Sequence, residues 1–466
     1  MKRNEPPPAE AQRQQADDRS VSIIGAGPAG SLMAVLLARL GYNVAAYERL
    51  PDLRTTLGTA GRSINLALAD RGIHALRVAG AFDDVEPLLT PMRGRMLHDL
   101  DGRKTFLPYG QREREVIYSV SRTQLTQALL SRAEREGATV TFRQTCLAVD
   151  AATNALRMQD LPSGRMYDLP LQHVIGADGA GSVLRHHLVE SQGARCDEQF
   201  LTHGYKELTI PSDAHGRHRL HVNALHIWPR GDFMLIALPN LDGTFTATLF
   251  LQLDGQISFA KLNTADAVVE FFRQHFPDAA ALMPDLAREF MSHPTGMMGT
   301  VRLDRWTLDE QLLLIGDAAH AVVPFHGQGM NCALEDCVEL HKLLANGLNW
   351  RDAAQELQRR RKPNADAIAD MALENYVEMR DTVRHPKFQL QKELSLELER
   401  RFPDRFIPRY SMVMFHHEIP YAAAYERGAI QQDILNALTE SAERLDQIDY
   451  TAAQRLIEAR LSPLTP

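Results

Sequence analysis

No apolar run in the 466 residues approaches the roughly 20 needed to cross a bilayer, so no membrane anchor is expected. Residues 1–20 contain no apolar stretch of the kind a secretion signal carries and read as a disordered lead-in. Cysteine is scarce. Cys146, Cys196, Cys332 and Cys337 are scattered without a Cys-x-x-Cys pair, which excludes a disulfide scaffold and points to reduced thiols in a cytoplasmic setting. Positive charge is also in short supply: 51 Lys and Arg against 59 Asp and Glu leave a net charge of −8, which argues against a nucleic-acid partner held through its phosphates. Histidine is plentiful at 18, yet the adjacent pairs His186-His187 and His416-His417 point their side chains apart, so no metal site is expected. Internal repeats are lacking, and no low-complexity tract follows the N-terminus. What remains, 44% hydrophobic and 24% charged, is the composition of a soluble globular chain long enough for two or more lobes.

The richest stretch runs from Val21 to Glu48. It reads as a strand, the turn Gly25-Ala26-Gly27-Pro28-Ala29-Gly30, an apolar helix, and a second strand closed by an acid. Gly25 permits the turn, Gly27 lets a pyrophosphate approach the backbone, and Gly30 lets helix and strand pack closely. The helix N-terminus then offers free amides to a diphosphate, and Glu48 is placed to accept hydrogen bonds from a ribose. The plain alternative is a glycine-rich turn in an ordinary α/β domain. Glu48 is unsuited to a 2′-phosphate, which argues against NADPH at this turn.

Two further turns follow at a distance. His173–Gly176 reads as a buried strand running into Ala177-Asp178-Gly179-Ala180-Gly181-Ser182, where Asp178 either caps the turn or holds the crossover of a flavin-binding lobe. Leu312–Ile315 reads as another buried strand, followed by Gly316-Asp317 and then by Pro324 to Asn331, which opens a long helix. Asp317 is placed to accept a hydroxyl hydrogen bond from a ribityl chain, and the helix starting near Gly329 would direct its positive end at the flavin ring. Between these turns, Pro91 to His98 alternates as a strand and pairs through a tight turn with Lys104 to Pro108. Its arginines and Tyr109 are a candidate anion clamp, although solvent-facing arginines on an edge hairpin are the commoner reading of that spacing. Ser121 is a candidate N-cap for a helix with the stripe Leu125, Leu129 and Leu130.

The expected fold class is α/β: a Rossmann-like FAD-binding lobe, an antiparallel β-sheet substrate lobe and a C-terminal helical cap. The expected divisions are 1–20 disordered, 21–195 for the FAD-binding lobe with the 91–110 hairpin reaching the substrate site, and 196–300 for the sheet lobe. The chain then returns to the first lobe over 301–348, and 349–466 forms the cap.

The three separated turns resemble the group A flavoprotein monooxygenases, built like p-hydroxybenzoate hydroxylase. Longer strings narrow the likeness. Gly61–Leu68, Pro91–His98, Pro108–Gly110, Val120–Arg122, Val323–Asn331, Asn375–Arg380 and Phe406–Tyr410 are similar to those of the kynurenine 3-monooxygenases, and the likeness spans about residues 21 to 420. The resemblance implies FAD as cofactor and NADPH, O2 and L-kynurenine as small-molecule substrates. Hydroxylation to 3-hydroxykynurenine would proceed through a flavin C4a-hydroperoxide, so no catalytic side chain is expected. Carried over by position, it implies FAD contacts at Ala29, Tyr47, Glu48, Arg49, Leu50, Ala67, Arg122, Cys146, Asp317, Met330 and Asn331, beside Gly25, Gly27 and Gly30. It places Arg95, Tyr109, Asn375 and Tyr410 around the amino-acid end of the substrate, with Arg95 as the bidentate partner of the carboxylate. His326 departs from the second phenylalanine of some relatives. No second glycine-rich unit is left for NADPH, which is expected to bind transiently. The assembly is open, with a homodimer as one expectation. The rival readings are a group A hydroxylase of another aromatic acid, a non-catalytic FAD- or prenyl-binding module, and an NAD-dependent dehydrogenase.

Overall fold

The computed structural model describes residues 19–55, 65–380 and 385–464. The lead-in before residue 19 and the Gly61–Ile64 part of one family-like string lie outside the described residues.

The chain opens with β1 (Ser20–Ile24), α1 (Pro28–Arg39) and β2 (Asn43–Glu48). Every residue of α1 from Gly30 to Leu37 is buried, because the helix is apolar on all sides and is enclosed between the sheet and other helices. Pro28 starts the helix where its missing N–H removes no bond. β1 pairs in parallel with β2 and with β3 (Val174–Gly176), and β3 pairs in parallel with β4 (Leu312–Leu314). The six-stranded sheet therefore draws neighbouring strands from three distant parts of the chain, with Thr139–Phe142 beyond β2 and Thr307–Leu308 beyond β4. The consequence is decisive for the site. The turns after β1, β3 and β4 emerge side by side at the carboxyl edge of adjacent parallel strands, the place where open α/β sheets receive ligands.

A seven-stranded sheet forms the second layer, ordered Gly296–Leu303, Cys196–Ile210, Phe245–Gln252, Met234–Pro239, Ala224–Pro229, Gly94–His98 and Lys104–Pro108. It is antiparallel except where Ala224–Ile227 runs parallel to Gly94–Leu97. One of its faces packs on the Ala265–His275 helix through Val268, Phe271 and Phe272. The stretch from Pro91 to His98 is two strands rather than the expected one. Thr90–Met92 joins a small sheet with Ile117–Ser121, and the chain then crosses at Arg93 into the large sheet. An alternating pattern records which residues are buried, but not that the burying partner changes midway.

From Gly329 onward the described chain is helical, chiefly α2 (Gly329–Ala345), α3 (Trp350–Arg380), α4 (Pro386–Arg401), α5 (Arg409–Phe415), α6 (Tyr421–Leu438) and α7 (Tyr450–Arg460). The first turns of α3, through Trp350, Ala353, Ala354 and Leu357, belong to the core around α1, whereas its later turns pack against α5 and α6. No helix among the described residues is long and apolar enough to cross a membrane.

Candidate active site

Gly25 sits at φ +95°, and a Cβ there would lie 2.5 Å from the Ala177 carbonyl oxygen. The first and second turns are thus pressed together, and a side chain would part them. Gly30 is tighter still: its Cβ would lie 1.9 Å from the Gly25 carbonyl. Gly27 is the opposite case, since a Cβ there meets nothing within 4 Å. Its face opens on a cavity of about 510 Å³, within the size range of ligand sites. The third turn adjoins the first: a Cβ on Gly316 would be 3.0 Å from Ala333 Cβ and 3.6 Å from Ala29 Cβ. Ala29 and Asp317 both line the cavity, although 288 positions separate them in the chain. The Asp317 carboxylate is exposed to that space and has no hydrogen-bond partner among the described residues. Gly329 and Met330, at the start of α2, face it as well, and the first amides of a helix have no partner within it.

Glu48 lies against this loop from below. Its carboxylate accepts hydrogen bonds from the Ala26 N–H at 2.8 Å and the Leu50 N–H at 2.9 Å. Tyr47 and Cys146 pack in one apolar cluster beneath it, and burial, with Asp178 nearby, pushes the Cys146 thiol up to about 12. Tyr47, Glu48, Arg49, Leu50 and Cys146 therefore gather at the end of β2 without lining the cavity, whereas Ala67 and Arg122 do line it. Asp178 holds its own turn by accepting from the Val183 N–H at 2.9 Å. Asn331 faces inward: its amide donates to the Ala67 and Gly327 carbonyls and its oxygen accepts from Ala69 N–H, pinning α2 to the Asn65–Leu68 strand.

The far end of the same cavity is made of side chains. Arg95, on the Gly94–His98 strand, is 5% exposed, with its guanidinium carbon 4.9 Å from the Tyr410 ring and 5.9 Å from that of Tyr109. The two tyrosine rings stack at 5.7 Å. Arg95 Nη1 pairs with Glu378 at 3.3 Å, while its Nε is buried with no partner among the described residues. Burial opposes the charge on Arg95, but Tyr410, Glu378 and Tyr109 outweigh it and keep the guanidinium protonated. Burial raises both tyrosines, so each remains a neutral hydroxyl able to donate. His326 stacks on Tyr410 at 5.5 Å, and burial lowers it to about 3, which makes it a neutral imidazole in the cavity wall. Asn375 is not on the cavity. Its amide donates 2.6 Å to the Phe325 carbonyl and so fixes the wall from behind.

Sequence reasoning passed over Glu378, three residues after Asn375 on α3, and Met379, Met414 and Thr300 on the lining. The inward alternation of Met234, Ile236 and Leu238 was the one available signal for the sheet side of the cavity.

The chain matches the family model for the FAD binding domain over residues 18–372. It is 49% identical over 446 residues to the kynurenine 3-monooxygenase of Stenotrophomonas maltophilia (strain K279a), covering 96% of this chain and 98% of that protein. The chain belongs to the kynurenine 3-monooxygenase family. A second member, from Myxococcus xanthus (strain DK1622), is 45% identical over 450 residues, with 96% and 97% covered. Among solved structures, 2-methyl-3-hydroxypyridine-5-carboxylic acid oxygenase in its tetrameric form superimposes with a TM-score of 0.64 at 21% identity, covering 79% of this chain and 94% of that one. Pseudomonas aeruginosa PqsL in complex with 2-aminobenzoylacetate gives 0.61 at 21%, covering 78% and 96%. These two establish a shared fold. The family is FAD-dependent, and the open face of Gly27, the Asp317 carboxylate, unpartnered among the described residues, and the start of α2 on the cavity suit a dinucleotide cofactor.

Proposed function

We propose that the protein hydroxylates L-kynurenine to 3-hydroxykynurenine, with FAD as resident cofactor and NADPH and O2 as co-substrates. The observation that carries this reading is the continuity of one cavity from Gly27, Ala29 and Asp317 to Arg95, Tyr109 and Tyr410. When bound, FAD supplies the redox chemistry that accepts a hydride from NADPH and passes one oxygen atom to the aromatic ring.

The chain's own residues bind and orient. Gly27 and the start of α1 would receive the diphosphate, Glu48 a ribose hydroxyl, and Asp317 a hydroxyl of the ribityl chain. The free amides of α2 would favour negative charge on the ring system beside them. At the far end Arg95 would grip the substrate carboxylate, with its idle Nε offering a donor and Tyr109 and Tyr410 donating beside it. That grip would set the ring against the apolar lining, where Leu225, Ile236 and Phe250 from the sheet, with Phe325 packed 5.0 Å from Phe250, exclude water. His326, neutral, adds no charge to that wall. Asn375 contributes by holding Phe325 in place. A cytoplasmic setting fits the four unpaired cysteines.

The test is direct. Purified protein should be yellow and should oxidise NADPH faster when kynurenine is added, forming 3-hydroxykynurenine. A colourless protein that takes up no added FAD overturns the reading. Turnover of another aromatic acid in preference to kynurenine would retain the chemistry and displace the substrate.

A further inference from the structure

A cluster of ionisable side chains lies directly behind the Gly316 turn and forms no part of the cavity lining. Asp336, on α2, is fully buried. Its Oδ2 accepts from the Gly316 N–H at 3.0 Å and from His320 Nε2 at 2.6 Å, and its Oδ1 accepts from Arg361 Nε at 2.7 Å. Arg361, on α3, also pairs with Glu335 at 2.8 Å and donates to the Cys332 carbonyl. His320, Cys332 and Asp336 are near enough to suggest a metal site, but the guanidinium of Arg361 already occupies the approach to both Asp336 and Cys332. Two cations already satisfy the carboxylate, so a third has no place there.

The geometry of the two Oδ2 contacts is specific. Gly316 immediately precedes Asp317, and His320 ends the single turn Asp317–His320 that starts there. One carboxylate oxygen therefore fixes both ends of the turn that carries Asp317. Gly316 stands at φ +58°, a conformation the chain does not adopt readily without glycine, and its buried N–H is turned to Asp336. A buried N–H without an acceptor is unfavourable, and Asp336 is the acceptor provided. Burial alone would make both ions unfavourable. Asp336 is nevertheless held down to about 2 by His320 and Arg361, and His320 is raised by Asp336 despite its burial, so the pair is ionised at neutral pH.

We propose that Asp336 is a positioning residue for FAD, bracketing the Gly316–His320 turn so that the Asp317 carboxylate is aimed at the cofactor. The inference rests on the reading that Asp317 meets FAD. It extends that reading to a residue that touches neither cofactor nor substrate.

The experiment measures the FAD dissociation constant of apoprotein by quenching of flavin fluorescence, together with the melting temperature and the kynurenine KM at saturating FAD. Asn at position 336 has one acceptor oxygen and one NH2, so it cannot serve Arg361 and Gly316 together. Asp336→Asn is expected to raise the FAD dissociation constant at least tenfold and to leave the kynurenine KM within twofold. If that variant does not accumulate as folded protein, position 320 carries the test. His320→Gln, which keeps a donor, should bind FAD within threefold of the native chain, and His320→Leu, which has none, several-fold more weakly than His320→Gln. A variant that melts earlier but binds FAD within twofold of the native chain overturns the proposal and leaves Asp336 a purely structural ion. A kynurenine KM that rises as much as the FAD constant overturns it too, because general loosening moves both. Failure of the native chain to take up FAD would instead overturn the underlying reading of the cavity.

Discussion

The two ends of the cavity are built on opposite plans. The cofactor end is made mostly of backbone: three turns at the edge of adjacent parallel strands, with glycines where another turn or a ligand must come close and Asp317 as the exposed acid among them. The substrate end is made of side chains delivered by a strand, the end of a hairpin, a long helix and a short C-terminal helix: Arg95, Tyr109, Glu378 and Tyr410. A backbone-made site needs glycine and strand periodicity at fixed spacing, and so it is written locally. A side-chain-made site needs only that the fold bring distant residues together.

The sharpest way to break the comparison is to add atoms at the cofactor end. Gly30→Val would force two methyl groups into a place where even Cβ meets the Gly25 carbonyl at 1.9 Å, so the purified protein should be colourless and much less stable. Absorbance at 450 nm and a thermal melt check both effects. Gly27→Ala separates binding from folding within the same loop. Its Cβ meets no protein atom within 4 Å, so the melting temperature of the apoprotein should stay within about 2 °C, while FAD affinity falls about tenfold or more. A Gly27→Ala enzyme that binds FAD normally would show that the open face is not where the diphosphate lies.

At the substrate end the changes should spare the cofactor. Arg95→Ala removes a buried charge, and truncating one member of such a pairing costs about 2–5 kcal/mol, or roughly 30- to several-thousand-fold in kynurenine KM, with FAD affinity within twofold. Arg95→Lys should recover only part, because an ammonium cannot make the planar two-point contact. An unchanged KM in Arg95→Ala removes this residue from the site. Tyr410→Phe deletes one hydroxyl and keeps the ring stack on Tyr109 and His326, so KM should rise only about 3- to 10-fold, the size of one hydrogen bond.

The same contrast decides how much was legible in the sequence. The β1–α1–β2 unit, the turns at Asp178 and Gly316, and the Ser121 cap, which accepts from the Gln124 N–H, are local patterns and stand where they were expected. The hairpin pattern offers its arginines and Tyr109 as an anion clamp only as the less common reading, and likeness to a family is what singles out Arg95 and Tyr109 and adds Tyr410. Where even likeness is silent on orientation, the structure supplies it: Asn331 and Asn375 turn their amides to backbone carbonyls rather than to the cavity. The split of Pro91–His98 between two sheets was hidden because alternation reports burial without naming the partner. The run Cys196–Ile210 likewise spans 15 residues with a register shift between Phe200 and Gly204, which separates its cavity-facing ends.

The smallest expected effect draws the two ends apart by pH. His326, at the substrate end, is lowered to about 3, chiefly by burial, whereas His320, behind the cofactor end, is raised through Asp336 and Cys332 in spite of burial. An unfolded histidine titrates near about 6.5. Between that value and 3 the unfolded chain binds a proton at position 326 that the folded chain refuses, so this residue contributes stability that is lost as pH falls through the window. At position 320 the folded chain keeps a proton that the unfolded chain releases above about 6.5, so its contribution is complete at lower pH and declines as pH rises. Asp336 and Asp278, each held at about 2, act only below the ordinary carboxylate range, whereas Asp178, raised by burial, acts above it with a slope opposite to that of the lowered histidines. Other lowered histidines, His226 among them, share the sign of His326, so replacing one residue flattens the slope without abolishing it. In urea titrations His326→Asn should reduce the fall in stability below pH 6.5 by up to about 1.4 kcal/mol per pH unit, and His320→Gln should reduce the fall above pH 6.5. Identical slopes in both variants across both windows would mean that the ends of the cavity do not differ in the charge they bury.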